Sequence, residues 1–145
     1  MTTYYKSTTA GNWTTAGSWD LHSNQAGGDA AVPKNADDVI FDQYSANVTI
    51  DSPLCVCKSI VCTGYVGTMT HTVTMRLTVS GNVTFVSGMT YTPPLSGNFT
   101  INATSSFDSG GKTFSNFIYN ASGGTLTFTA PFTCSVPESV VIEVS

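Results

Sequence analysis

Residues 80–101 read SGNVTFVSGMTYTPPLSGNFTI. Twice in that stretch Ser-Gly-Asn is followed by an apolar residue, a threonine and another apolar residue. Apolar side chains two apart, with a hydroxyl between them, describe a β-strand with one buried face. Gly81 and Gly97 mark the turns that introduce these strands, and Pro93-Pro94 interrupts regular pairing between them.

Outward from this stretch the same alternation recurs in ANVTID (46–51), RLTVSG (76–81), TLTFTA (125–130) and SVVIEVS (139–145). No window of a dozen residues carries a 3.6-residue apolar period, and leucine occurs only at Leu21, Leu54, Leu77, Leu95 and Leu126. The chain is therefore all-β. Glycine-centred turns at Gly81, Gly97, Gly110-Gly111 and Gly123-Gly124 each precede a similar strand, at spacings of 13 to 16 residues. That recurrence favours a short β-solenoid-like stack, with a two-sheet β-sandwich as the alternative. Phe85, Phe99, Phe114 and Phe128 take like positions in the repeat and read as a core ladder.

The first third differs. Residues 1–45 contain both tryptophans and four of the nine acidic residues ahead of the VIFD strand. This segment reads as an N-terminal arm and irregular aromatic cap over the strand-repeat body, 46–145, within a single domain overall. Trp13 and Trp19 supply the apolar area that covers an open end of a stack. Tyr4 and Tyr5 read as an arm docking on a neighbouring subunit. With Trp13, Trp19 and Tyr91 they are the expected interface residues.

Only 10% of the residues are charged, and the net charge is −4. Between Asp51 and Glu138 the charged side chains are Lys58, Arg76, Asp108 and Lys112. No basic cluster exists to neutralise phosphates or an anionic membrane, which argues against both partners. The start, MTTYYKSTTAG, lacks the basic and apolar regions of a signal peptide, and no apolar run approaches the ~20 residues of a transmembrane helix. The expectation is a small chain starting at its own Met1, made in a host cytoplasm and displayed on a particle.

Chemistry-bearing residues are few. Cys55, Cys57 and Cys62 lie close together and Cys134 far away. Their spacing favours buried core thiols over a disulfide involving Cys134 or a metal site. His22 and His71 read as solvent-facing, His71 on the threonine face of TMTHTVTM. Asp37, Asp38, Asp42 and Asp51, with Asp20 and Asp29 nearby, are the candidate carboxylates, but they fall at turn positions that bind backbone N–H groups. Asp108 is the sole acid of the four glycine-led repeats between Gly81 and Phe128, so the paired acids of a glycosidase are missing there. No catalytic residue, cofactor or metal ligand is assigned, and an enzyme is not expected.

The run Gly11-Asn12-Trp13, then Trp19, Pro33, Asp37-Asp38-Val39-Ile40-Phe41-Asp42, Val48-Thr49-Ile50-Asp51 and Cys57-Lys58-Ser59-Ile60 resembles the opening of many bacteriophage structural proteins and some bacterial surface proteins. LTVSGNVTF and SGGKTFSNFIYNASGGTLTF continue the likeness across residues 11–131. In those proteins an aromatic cap leads into solenoid-like repeats. The resemblance implies a non-enzymatic virion structural protein on the capsid surface. Specifically, it implies a cement or decoration subunit that binds the major capsid protein as a homotrimer. A receptor- or carbohydrate-binding module of a tail fibre or adhesin is the alternative.

Overall fold

In the computed structural model, residues 1–28, 30–134 and 140–143 are described, the last four by backbone alone. The chain enters through β1 (Thr3–Lys6) and β2 (Gly11–Asn12), makes a single 3-10 turn at Ala16–Ser18, and continues into β3 (Trp19–Asp20). It then winds. The first coil is β4 (Asp38–Asp42), β5 (Val48–Ile50) and β6 (Cys55–Cys57). The second is β7 (Ser59–Thr63), β8 (Thr68–His71) and β9 (Leu77–Val79). The third is β10 (Val83–Thr84), β11 (Thr90–Thr92) and β12 (Phe99–Ile101). The fourth is β13 (Ser105–Asp108), β14 (Thr113–Phe114) and β15 (Phe117–Asn120), and β16 (Leu126–Phe128), β17 (Thr133–Cys134) and β18 (Val140–Glu143) follow.

Strands stack on their equivalents one coil away, in parallel. The first face runs β1, β4, β7, β10, β13, β16, with β3 antiparallel beside β1. The second runs β2, β5, β8, β11, and the third β6, β9, β12, β15, β18. The strands β14 and β17 pair with each other. The fold is a parallel β-solenoid of about four turns. Of the two expected architectures, the solenoid is the one observed.

The length of the turn corrects the repeat inferred from glycine spacing. On the first face Val39, Ile60, Val83, Phe107 and Phe128 are successive partners, steps of 21, 23, 24 and 21 residues. A spacing of 13 to 16 residues instead links corners of different faces. SGNVTFVSGMTYTPPLSGNFTI is one whole turn carrying β10, β11 and β12, rather than two passes of one unit. The phenylalanines follow suit. Phe85, Phe99 and Phe114 come from different faces and meet in one cluster, with ring centroids 5.3 to 6.0 Å apart. Phe128 packs against Phe107 at 5.9 Å and stays 45% exposed.

Alternation decides what fills the interior. β4, β5, β6, β8, β9, β12 and β13 bury every second residue. On the third face, Cys55, Leu77, Phe99 and Phe117 form one inward file, and Cys57, Val79, Ile101 and Tyr119 form the next. The first of these files thus passes from a thiol to aromatic rings along the axis. Phe107, Phe114, Phe117 and Phe132 make a continuous ring cluster, with Phe117 and Phe132 at 4.8 Å. Edge-to-face pairs of this kind add ~0.5–1.5 kcal/mol each beyond their buried area.

The corners explain the composition. Asn47 Oδ1 accepts from Thr68 N at 2.8 Å, and Asn82 Oδ1 accepts from Ser106 N at 2.9 Å. Asn116 Nδ2 donates to Gly97 O at 2.9 Å, and Ser109 Oγ to Pro131 O at 2.7 Å. Each bond joins a residue to the coil above or below, where the sheet ladders stop and backbone groups lose their partners. Neutral hydroxyls and amides do this without the desolvation cost of an ion.

Coil-to-coil approach is closest at Gly97, where a Cβ would lie 1.9 Å from the carbonyl oxygen of Met75. Gly97→Ala is expected to destabilise the fold by roughly 1–3 kcal/mol, since backbone rather than a flexible side chain blocks it. Gly17→Ala, where nothing lies within 4 Å of the added carbon, serves as the neutral reference. Urea denaturation of the two variants checks the difference.

Candidate functional site

The expected interface residues separate on inspection. Trp13 and Trp19 are fully buried, Tyr4 is buried, and Tyr5 and Tyr91 are half-buried. Tyr4 and Tyr5 belong to β1, which is paired on both sides, to β3 and to β4. They are part of the first face, so the projecting arm is not observed. The physical reason is that residues 3–6 alternate like any other strand, and the parallel ladder to Asp38–Ile40 satisfies their backbone. The VIFD strand, inside residues 1–45, likewise pairs with β7 of the repeat body.

The tryptophans close the N-terminal end from within. Their rings meet edge to face at 4.8 Å, Trp19 Nε1 donates to Trp13 O at 2.8 Å, and Trp19 reaches Phe41 at 6.1 Å. Beneath them lies a group the sequence reading missed. Lys6 is fully buried, with its ammonium donating to Thr9 O at 2.6 Å and to Ser7 O at 3.3 Å. Burial lowers its pKa to about 8, partly opposed by the charge of buried Asp20. The available signal was parity, because Lys6 stands two residues after Tyr4 on the inward side of β1.

The carboxylates act as fasteners. Asp37 accepts from Thr2 N at 2.8 Å and Lys34 N at 3.1 Å. Asp51 accepts from Thr14 N at 3.1 Å and Thr14 Oγ1 at 2.5 Å, tying the cap to the first coil. Asp42 accepts from Tyr44 N at 2.9 Å, and Asp108 from Gly110 N at 2.9 Å. Asp38 accepts from Ser59 Oγ at 2.5 Å and faces Lys58 at 3.7 Å. Asp29 lies outside the described residues. Among the described residues no three His, Cys, Asp or Glu side chains gather as a metal site would require.

His71 is a correction. It shares the inward parity of Met69 rather than that of Thr68 and Thr70, and it is buried. Its Nε2 lies 3.1 Å from the Tyr91 hydroxyl, and the two rings meet edge to face at 5.5 Å. Tyr91 turns its ring inward as well, 4.7 Å from Phe114. His22 is exposed. Burial drives the His71 pKa from 6.5 down to about 4, against a backbone hydrogen bond with Met75 that raises it. A depressed folded-state pKa contributes stability that is fully present above pH 6.5 and lost as pH falls toward 4. Acid titration of the unfolding free energy should show a decline across that window of up to roughly 3 kcal/mol. The His71→Gln variant should lack this component.

Cys55, Cys57 and Cys62 are buried free thiols, and Cys134 is half-buried. Burial pushes Cys55 up to about 11 and Cys62 to about 12, and raises Cys57 well above its ordinary value. In a thiol assay of the native chain, Cys134 should react first and the other three only on unfolding.

Two clefts remain. A polar groove of about 430 Å³, lined by Asp38, Lys58, Ser59, Asn82 and Thr104, crosses successive coils where the third face turns into the first. An apolar cleft of about 390 Å³ lies between Phe117, Tyr119, Leu126, Phe128 and Phe132 near the C-terminal coils. The corner between the second and third faces carries exposed apolar side chains on three consecutive coils. These are Leu54 (75%), Val73 (55%) and Leu95 (81%). No family model, no curated protein and no solved structure matches this chain, so what is established is the architecture, a parallel β-solenoid of about four turns.

Proposed function

We propose that this chain is a virion structural protein, a cement or decoration subunit of a bacteriophage capsid with no enzymatic activity. The observation that carries the reading is the ridge of Leu54, Val73 and Leu95. Three large apolar side chains held in solvent at one corner of consecutive coils support a protein–protein contact over a small-molecule site. The ridge stands on a stiff prism whose described carboxylates are largely engaged in fastening the fold. The partners are the major capsid protein and further copies of this chain, as a homotrimer. A subunit that binds only the assembled shell stabilises it by mass action, and a symmetric oligomer multiplies weak contacts.

The alternative, a carbohydrate- or receptor-binding module, draws support from the polar groove at Asp38, Lys58 and Asn82. It is weakened by the burial of both tryptophans, which removes the rings expected to stack on sugars.

Particle stoichiometry tests the proposal. Purified virions should carry hundreds of copies over the shell, and exchanging Leu54, Val73 and Leu95 for serine should lower occupancy without unfolding the free chain. A handful of copies at the tail, or unchanged occupancy of the triple variant, overturns it.

A further inference from the structure

We propose that the outer surface of the second face is an ice-binding surface. In β5, β8 and β11 the apolar residues and His71 point inward, which leaves Thr49, Thr68, Thr70, Thr90 and Thr92 on the outside. Strand register aligns them in two files. Asn12, Thr49, Thr70 and Thr92 form one, and Thr68 and Thr90 the other. Adjacent members of a file are ~4.8 Å apart, and the two files are separated by two residues of strand, ~6.7 Å.

The surface is free-hydroxyl and uncharged, and its regular threonine files set it apart. None of these five threonine hydroxyls has a hydrogen-bond partner among the described residues, whereas Thr14, Thr72 and Thr129 in the cap and corners use theirs. The strands of the second face, β2, β5, β8 and β11, contain no Asp, Glu, Lys or Arg. The other two faces show no such regularity. Their outward files read Ile40, Val61, Thr84, Asp108 and Val56, Thr78, Thr100, Ile118.

A rigid two-dimensional array selects a ligand that repeats with it. Threonine is β-branched and stiff at χ1, so each hydroxyl and methyl holds a fixed place on the pleat. Water oxygens on the prism face of hexagonal ice repeat at closely similar distances along two perpendicular directions. The hydroxyls can therefore occupy lattice positions in step, while the methyl groups order the water between the files. A crystalline polysaccharide would need outward aromatic rings to stack on its sugars, and Tyr91 points inward to Phe114. An anionic or cationic surface would need charges that these strands lack.

Nanolitre osmometry and ice-affinity partitioning of the intact chain test the proposal. The expected result is a gap between melting and growth temperatures, faceted crystals, and enrichment of the chain in the ice fraction. Thr70→Lys with Thr92→Lys should abolish the gap, whereas Thr63→Lys, on the first face, should keep it. Unchanged circular dichroism and melting temperature establish that the variants fold. If the double variant does not fold, the single Thr92→Lys chain carries the same comparison. Rounded crystals with no gap, retention on crystalline cellulose or chitin but not ice, or equal loss in the two face variants each overturn the proposal.

Discussion

The constraint on which everything else depends is that each coil obtains its backbone hydrogen bonds from the coils above and below. A strand of two to five residues cannot be stable alone, and here almost none pairs with its neighbour in sequence. Side chains in register therefore repeat about every 22 residues, and one coil's inward residue lands on the next coil's inward residue. The aromatic cluster, the thiol files and the glycine at Met75 are consequences of that superposition. So is the threonine and asparagine content. At the corners, where the ladders stop, side chains must still bridge to the next coil, and most of those that do are neutral hydroxyls and amides.

Much of this was legible from the residues. Alternation in ANVTID and RLTVSG identifies strands whatever their partners, because the two-residue period belongs to the strand itself. The solenoid was legible through punctuation, although not its pitch. Glycines fall at corners of more than one kind, and three strands share a turn, so counting from glycine to glycine spans two sides of the prism rather than a whole turn. Long-range register is a property of pairing, and no local pattern carries it. Tyr4 and Lys6 illustrate the same limit. Their alternation was present, but whether a terminal strand is docked depends on β4, more than thirty residues away.

The carboxylates show how a chemically suggestive list becomes structural. Asp37, Asp51 and Asp108 each accept from a backbone N–H at a turn, Asp37 from two, where the solenoid changes direction or meets its cap. The acids are spread over several corners because each fastening site needs one. Paired acids would have required two corners to converge. What remains on the outside is shaped by geometry rather than charge: an apolar ridge on one corner, a polar groove on another, and a neutral array on the second face.

The antiparallel strand β3 has a further consequence. It reverses direction beside β1, so the first face offers no parallel template beyond it, and Lys6, Trp13 and Trp19 seal the adjoining core. The molecule is thus a ratchet in sequence space. Beyond that stop, each added coil meets a parallel edge on all three faces. The stop lies on the first face, where β3 runs against the direction of every other strand of that sheet.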